Sequence, residues 1–169
     1  NGDGYDDLVV GAPNSDCNGN NNGKVYVYHG SPTGLGDAPA WSRCGDPDEY
    51  YGSSVSSAGD LNGDSYDDLV VGAYHNDANG TEAGAASVLF GSPTGLNTTG
   101  EVDWYALGES SSNHFGRSVG AGDVNGDGYD DLVVRAEGYD GRGKAYADVD
   151  SSAGLIQDDP PDWTAVGEV

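Results

Sequence analysis

An all-β fold is predicted from three features of the sequence. The chain has 169 residues, of which 29 are glycine and only 36% are hydrophobic, so turn-rich β structure is favoured over long amphipathic helices. A unit of about sixty residues recurs along the chain, and each copy contains a short β-branched run. The 11 tyrosines and 3 tryptophans distinguish the chain from a disordered acidic segment, which lacks such side chains.

The repeat is marked most clearly by an acidic heptapeptide. It occurs as NGDGYDD at 1–7, NGDSYDD at 62–68 and NGDGYDD at 125–131. Other markers keep the same step: SPTGL at 31–35 and 92–96, a looser SSAGL at 151–155, and tryptophan at 41, 104 and 163. Self-similarity at a fixed period indicates repeated supersecondary units.

Each unit is predicted to contain four short strands. In the second unit, the segment 51–58 is the first strand and the acidic loop follows it. The second strand contains 69–71, a run that is apolar on both faces and is therefore predicted to be buried on both. The third strand alternates, since Val25 and Val27 are separated by tyrosine. The fourth strand carries the tryptophan.

Four antiparallel strands with glycine-rich turns make a blade of a β-propeller, which closes with about 4–8 blades. We predict an incomplete blade at 1–49 that lacks its first strand, a complete blade at 50–113 and a complete but degenerate blade at 114–169. Such a partial arc exposes strand edges and blade faces. We therefore expect further blades from missing sequence or from another chain, and the lack of any Met also suggests a piece of a longer protein.

The charge of the chain excludes some classes of partner. The net charge is −23, from 29 acidic and 6 basic residues, so nucleic acid and anionic membranes are not expected as partners. No apolar stretch approaches the ~20 residues of a membrane span, so membrane insertion is not expected either. Cations are the expected counter-ligands.

The acidic loops are predicted to bind Ca²⁺. Loop positions 1, 3, 5 and 9 supply side-chain oxygens and position 7 supplies a backbone carbonyl, an oxygen-only set that suits Ca²⁺ better than Mg²⁺ or softer metals. The predicted ligands are Asn1, Asp3, Tyr5 and Asp7 in loop one, Asp60, Asn62, Asp64, Tyr66 and Asp68 in loop two, and Asp123, Asn125, Asp127, Tyr129 and Asp131 in loop three. Loop one has no residue for position 1, so its site is predicted to be weaker or empty.

The acidic loops share features with EF-hands and with turns that bind no metal. An EF-hand loop ends with a glutamate at position 12 that leads into a helix, whereas Val71 and Val134 stand there within β-branched runs. Asp, Asn and Gly also form tight turns without any metal. The recurrence of the pattern at fixed repeat positions favours metal, in a structural and not a catalytic role.

With these motifs the sequence resembles the FG-GAP repeats of the integrin α-subunit β-propeller. Tyr51-Gly52 and Phe115-Gly116 stand at the FG position, and Gly11-Ala12-Pro13 stands at the GAP position. The resemblance implies a seven-bladed, calcium-stabilised extracellular propeller used for adhesion or ligand binding. The third unit departs from the pattern, because Arg135-Ala136-Glu137 replaces the GAP triplet and Asp148 is expected to interrupt the third strand.

Strand direction assigns the loops to two faces of the arc. The acidic loops share one face with the SPTGL turns, while the second-to-third connections and the links between blades lie on the other. The resemblance implies ligand recognition on the face away from calcium, where Tyr50, His114 and Tyr139 are candidate contacts. Cys17 and Cys44 also fall on that face, which permits a disulfide and is consistent with an oxidising compartment.

Three functions remain open from the sequence. They are a protein-binding adhesion module, a glycan-binding propeller with inter-blade pockets, and a structural subunit that completes a ring or filament. Asn79 and Asn97 begin N-x-T triplets, which would be glycosylation acceptors in a eukaryotic secreted protein but can also occur by chance in such a chain. No enzymatic function is predicted, since the G-x-S-x-G match around Ser118 lies in a predicted strand and lacks the helix that a nucleophile elbow requires.

Overall fold

The structure is a computed structural model that describes residues 1–17, 19–99, 101–149 and 161–168. Over these residues it consists of eleven β-strands and one 3₁₀ turn, Tyr139–Gly141. The strands are β1 Leu8–Ala12, β2 Lys24–Tyr28, β3 Trp41–Cys44, β4 Ser54–Gly59, β5 Asp68–Ala73, β6 Ala85–Leu89, β7 Trp104–Leu107, β8 Phe115–Gly122, β9 Asp131–Ala136, β10 Lys144–Asp148 and β11 Trp163–Val166. No helix in the described part of the chain is long and apolar enough to span a membrane.

The strands form three antiparallel sheets in chain order. Blade one contains β1-β2-β3, blade two contains β4-β5-β6-β7, and blade three contains β8-β9-β10-β11. Each strand pairs with the next one along the chain within its sheet. The predicted all-β fold, a partial propeller arc of four-stranded antiparallel blades, is confirmed.

The second strand of each blade is buried to a different extent. All six residues of β5 are buried, which confirms the prediction for 69–71. The equivalent strand β1 in blade one leaves Leu8 43% and Val10 38% exposed. Burial on both faces therefore depends on a neighbouring blade at each side, and within the described residues only blade two has both.

Two hydrophobic clusters fill the junctions between neighbouring blades. Because successive side chains of a strand point to opposite faces, β5 contributes to both clusters. The first junction, between blades one and two, contains Val25, Val27, Trp41, Leu69, Val71 and Leu89. The second junction, between blades two and three, contains Val70, Val88, Trp104, Leu132, Val134 and Tyr146.

Glycines allow the backbones of neighbouring blades to touch at both junctions. A Cβ on Gly72 would lie 2.0 Å from the carbonyl oxygen of Gly116, and a Cβ on Gly11 would lie 2.1 Å from that of Gly52. Gly52 and Gly116 also have positive φ angles of 82° and 81°. The FG-type glycine of one blade therefore packs against the GAP-type glycine of the preceding blade, which explains why both positions need a residue without a side chain.

Two sequence expectations are settled by the chain trace. Asp148 was expected to interrupt the third strand of blade three, and that expectation is wrong. Asp148 is the last residue of β10, where it lies opposite Leu132 and is 9% exposed. Backbone pairing does not depend on the side chain, so a carboxylate at a strand end is tolerated.

Cys17 and Cys44 form a disulfide. The SSAGL segment at 151–155 lies outside the described residues.

Candidate functional site

The acidic loops lie at one edge of the arc. Loop two connects β4 to β5, loop three connects β8 to β9, and loop one precedes β1. Because neighbouring strands are antiparallel, the SPTGL turns between third and fourth strands lie at the same edge, which we call the loop face. The second-to-third connections and the links between blades lie at the opposite edge, which we call the connection face.

Loop two is folded by hydrogen bonds from its own backbone to its acidic side chains. The Asp60 carboxylate accepts hydrogen bonds from the backbone N–H groups of Asp64 at 2.9 Å and Ser65 at 2.8 Å. Asn62 Oδ1 accepts from Asp64 N at 2.9 Å, and Asp64 Oδ1 accepts from Tyr66 N at 3.0 Å. These short-range bonds curl the loop around its side-chain oxygens.

Loop three repeats this pattern bond for bond. The Asp123 carboxylate accepts from the N–H groups of Asp127 at 3.2 Å and Gly128 at 3.1 Å. Asn125 Oδ1 accepts from Asp127 N at 2.8 Å, and Asp127 Oδ1 accepts from Tyr129 N at 2.9 Å. The same conformation at two places in the chain indicates that the loop sequence itself specifies it.

Loop one repeats the part of the pattern that its residues allow. Asn1 Oδ1 accepts from Asp3 N at 3.1 Å, and Asp3 Oδ1 accepts from Tyr5 N at 3.0 Å. The Asp7 carboxylate lies 3.1 Å from the α-amino group of Asn1 and 4.0 Å from His29 Nε2. Asp7 therefore also lies near His29, which directly follows β2.

Position 6 shows how the two complete loops differ. Gly128 has a φ of 92°, and Ser65 at the same position of loop two has a φ of 73°. Serine rarely adopts this left-handed conformation, which glycine tolerates without steric cost. Loop two therefore holds the turn under local strain.

The last carboxylate of each loop closes the loop onto the blade. Asp68 accepts hydrogen bonds from Leu61 N at 2.9 Å and Gly91 N at 2.8 Å, and Asp131 accepts from Val124 N at 2.7 Å. Burial raises the pKa of the Asp68 carboxyl to about 7; its two backbone hydrogen bonds oppose this shift, and the nearby loop carboxylates add to it.

The donor set of loops two and three fits a hard divalent cation. Each loop offers carboxylate, amide and carbonyl oxygens, with no sulfur or imidazole ligand. Within the described residues, no Lys, Arg or His forms an ion pair with a carboxylate of these two loops. In that same part of the chain, no three His, Cys, Asp or Glu side chains are grouped so that they could hold a metal ion by themselves. A cation here would therefore also need the Asn side chain and the Tyr carbonyl.

The connection face carries a cluster of aromatic and imidazole rings. His75 lies 4.7 Å from Tyr50, 4.4 Å from Tyr74 and 6.2 Å from His114, measured between ring centroids. Two predicted contacts, Tyr50 and His114, are thus brought together. The third, Tyr139, has no ring contact with this group among the described residues and instead lies 4.7 Å from the Lys144 ammonium.

Two carboxylates and one guanidinium contact this ring cluster. Glu82 lies between two imidazoles, 3.5 Å from His75 Nδ1 and 3.1 Å from His114 Nε2. Arg117 stacks 4.4 Å from the Tyr74 ring centroid and pairs with Glu137 at 3.2 Å. Sequence reasoning missed Tyr74 and His75. The available signal was that Tyr74 follows Gly72-Ala73 at the position where the FG-GAP pattern has proline, and His75 comes directly after it.

A cavity with both polar and apolar lining residues lies at the first junction. Its volume is about 290 Å³, and its lining includes Arg43, Glu49, Tyr51, Ser87 and Tyr105. Glu49 is 8% exposed and accepts hydrogen bonds from Asn76 Nδ2 at 2.8 Å and Asp46 N at 2.7 Å. Burial raises the pKa of the Glu49 carboxyl above its ordinary value, against the opposing effect of these hydrogen bonds.

Comparisons with known proteins agree with the repeat found in the sequence. The FG-GAP repeat profile matches residues 1–28, 51–89 and 115–148. The chain is 41% identical to integrin alpha-6 of Homo sapiens over 136 residues, which is 79% of this chain and 11% of that protein. It is 33% identical to integrin alpha-7 of Rattus norvegicus over 146 residues, 79% of this chain and 12% of that protein. It is 35% identical to integrin alpha-5 of Xenopus laevis over 151 residues, 83% of this chain and 14% of that protein.

Proposed function

The chain belongs to the FG-GAP repeat family, and from that premise we propose that it is a calcium-binding segment of an extracellular β-propeller that binds a ligand in adhesion. Integrin alpha subunits are among the proteins it resembles, and it spans 11–14% of the length of the three relatives described above. The ligand and the rest of the propeller are therefore proposals about a larger protein.

The observation that carries the calcium proposal is the shared conformation of loops two and three. Both loops gather oxygen donors by the same backbone hydrogen bonds, and no cationic side chain of the described residues neutralises them. A bound Ca²⁺ would supply the missing positive charge and stabilise the hairpin, and Asp60, Asn62, Asp64, the Tyr66 carbonyl and Asp68 would hold it in loop two. The equivalent residues 123, 125, 127, 129 and 131 would hold it in loop three.

The connection face is the proposed ligand surface. Its ring cluster presents aromatic, imidazole and guanidinium groups within one small area, a composition typical of binding hot spots in protein interfaces. The Cys17–Cys44 disulfide supports an extracellular location, because disulfides persist in oxidising compartments. A catalytic role is not proposed, since Ser118 lies within β8 opposite Arg135 and no helix follows it.

The remaining blades are part of the proposal. In this arrangement blades occupy 1–49, 50–113 and 114–169, and further blades cover the faces that lie outside the two junctions. The exposed Leu8 and Val10 side chains of β1 support a neighbour on that side, because β5 buries its equivalent residues against one. That neighbour comes from further sequence or from another copy of the chain, the latter in the case of a structural subunit.

The cavity at the first junction that Arg43 and Glu49 line favours a second candidate, glycan binding. Its tyrosines, arginine and buried glutamate offer the mixed stacking and hydrogen-bonding groups that sugars require. In this alternative the glycan binds between blades one and two and not on the connection face.

The two candidates are separated by binding assays on the immobilised chain. Purified extracellular matrix proteins and a glycan array would be tested in about 1 mM Ca²⁺, a typical extracellular level, and in chelator. We expect calcium-dependent capture of a matrix protein that is lost in His75→Ala but retained in Tyr139→Ala, the matched aromatic outside the ring cluster. Glycan binding that is lost in Arg43→Ala would support the alternative, and binding of neither class would contradict both.

A further inference from the structure

Loops two and three contact each other across the second junction. A Cβ on Gly63, in the middle of loop two, would lie 2.7 Å from Cε1 of Tyr129 in loop three, so the Tyr129 ring packs directly on the loop two backbone. The first junction repeats this contact. There a Cβ on Gly2 of loop one would lie 2.5 Å from Cε1 of Tyr66 in loop two. The tyrosine at position 7 of one loop thus covers the glycine at position 4 of the preceding loop.

A carboxylate adds a second contact between loops two and three. Asp130 Oδ2 accepts a hydrogen bond from the backbone N–H of Asp60 at 3.1 Å. The same carboxylate lies against Gly59, where a Cβ would come within 1.8 Å of Oδ2. Asp60 is position 1 of loop two, and its own carboxylate orients the N–H groups of Asp64 and Ser65.

A third contact lies beneath the loops. Leu61, the second residue of loop two, is 2% exposed and packs in the same cluster as Leu132, the residue after loop three. Val124, at the equivalent position of loop three, is 63% exposed. Loop two therefore contacts Tyr129 and Asp130 of loop three, and its residue Leu61 packs in the same cluster as Leu132, which directly follows loop three.

The short segment 129–131 consequently serves both loops. Toward loop three it would provide two proposed ligands, the Tyr129 carbonyl and the Asp131 carboxylate. Toward loop two it provides the Tyr129 ring and the Asp130 carboxylate, which fix Gly63 and the start of the loop. Any event that orders this segment in one loop also orders the contacts of the other.

We infer that loops two and three bind calcium with positive cooperativity and that Tyr129 and Asp130 transmit the coupling. The inference rests on the proposed calcium function. A cation in loop three holds 129–131 in the position that supports Asp60 and Gly63, so loop two needs less ordering when its own cation binds. By linkage, calcium in loop two raises the affinity of loop three by the same factor.

The test is a calorimetric calcium titration of the full chain and of variants that leave one loop functional. Asp64→Ala disables loop two and Asp127→Ala disables loop three, and neither residue contacts the partner loop through the three contacts above. We expect the remaining loop in each single variant to bind at least about fivefold more weakly than in the wild-type protein, where binding is cooperative.

The coupling residues are then tested in the same cycle. In an Asp130→Ala background, disabling loop two is expected to leave the affinity of loop three unchanged. Asp67→Ala is the matched control, because Asp67 stands at the same position of loop two as Asp130 in loop three but does not make the contact between the two loops. In this variant the fivefold effect should remain. Tyr129→Ala keeps the proposed carbonyl ligand and removes the ring, so it provides a second test if Asp130→Ala folds poorly.

The outcomes separate this inference from the proposed function. Calcium uptake by both loops with equal affinities in the wild-type and single-loop proteins would overturn the coupling alone. Coupling that persists unchanged in both Asp130→Ala and Tyr129→Ala would overturn the assignment to these residues. A wild-type chain that takes up no calcium would overturn the proposed function together with the coupling.

Discussion

The two junctions between blades share one backbone arrangement but are filled by different side chains. At the first junction Tyr51 forms a parallel bridge to Gly23, and at the second Phe115 forms the same bridge to Gly84. The Tyr51 ring lies 4.7 Å from the Arg43 guanidinium, and Ser87 Oγ donates a 3.4 Å hydrogen bond to its hydroxyl. At the second junction, the ring contact of Phe115 among the described residues is with another aromatic ring. Tyr146 packs edge-on against it, with the ring centroids 5.0 Å apart.

The difference shows which features of a junction are constrained. Ser87 lies opposite Val71 in its sheet and Tyr146 lies opposite Val134, so the two residues occupy equivalent positions. Ser87 lines a cavity of about 290 Å³ at the first junction, and Tyr146 lines one of about 160 Å³ at the second. The glycine contacts fix the spacing of the blades, while the filling can be aromatic or polar.

The largest effect is expected from removing the aromatic filling of the second junction. Tyr146→Ala should lower the free energy of unfolding by about 4 kcal/mol, because truncating a buried aromatic side chain loses its packing and leaves a cavity. Ser87→Ala at the equivalent position of the first junction should cost less than about 1 kcal/mol, since it removes only one weak hydrogen bond. Denaturant unfolding measures both, and equal losses in the two variants would contradict the comparison.

The next effect concerns the disulfide, which joins two segments of blade one next to the first junction. Cys44 ends β3 beside that junction, and blades two and three contain no cysteine. Replacing Cys17 and Cys44 by serine should lower stability by about 3 kcal/mol, chiefly because the unfolded chain gains freedom. Thermal melts of the wild-type protein with and without reductant check the same point, and identical melting temperatures would show that the first junction does not need the bridge.

The smallest effect is the pH dependence that Glu49 gives to the first junction. Glu49 and Asn113 lie at equivalent places, each buried two residues before the bridging ring, but only Glu49 can ionise. Because burial raises the pKa of Glu49 in the folded state, its stabilising contribution is complete below the unfolded value of about 4.5 and is lost as the pH rises through the raised pKa.

Glu49→Gln tests this assignment. The amide introduced by this substitution stays neutral, so the melting temperature of the variant should rise relative to wild type as the pH increases above about 4.5, the unfolded value, at constant calcium. Arg43 and Asp46 charges face the same carboxyl, and the variant also loses one hydrogen-bond acceptor, which is a constant offset. A difference between variant and wild type that does not change with pH would contradict a buried, ionising Glu49.

Much of the fold could be predicted from the sequence because its determinants are local and repeated. Strand positions followed from runs such as 69–71 and from the tryptophans, and the fold of the acidic loops follows from hydrogen bonds that span only two to five residues. The ring cluster could not be predicted in the same way. His75 and His114 are distant in sequence and meet on Glu82 only after blades two and three pack together.

Departures from the repeat were the least predictable features. Asp148 was expected to break a strand, but the backbone pairing of β10 tolerates it. The burial of Glu49 could not be predicted, because the Asn76 side chain that donates a hydrogen bond to it lies in another connection. A repeat predicts what its copies share, whereas the distinct chemistry of each junction arises where one copy differs from the next.

Calcium stoichiometry tests the proposed function most directly. Equilibrium dialysis of the chain against buffered Ca²⁺ should show at least two ions bound per chain, and the Asp64→Ala, Asp127→Ala double variant should bind two fewer ions than the wild-type chain. Calcium should also raise the melting temperature of the wild-type chain but not that of the double variant. At a calcium concentration of 100 times the dissociation constant, binding adds about 2.7 kcal/mol per site to the free energy of unfolding. No bound calcium and unchanged melting at millimolar Ca²⁺ would show that the acidic loops are turns and not metal sites.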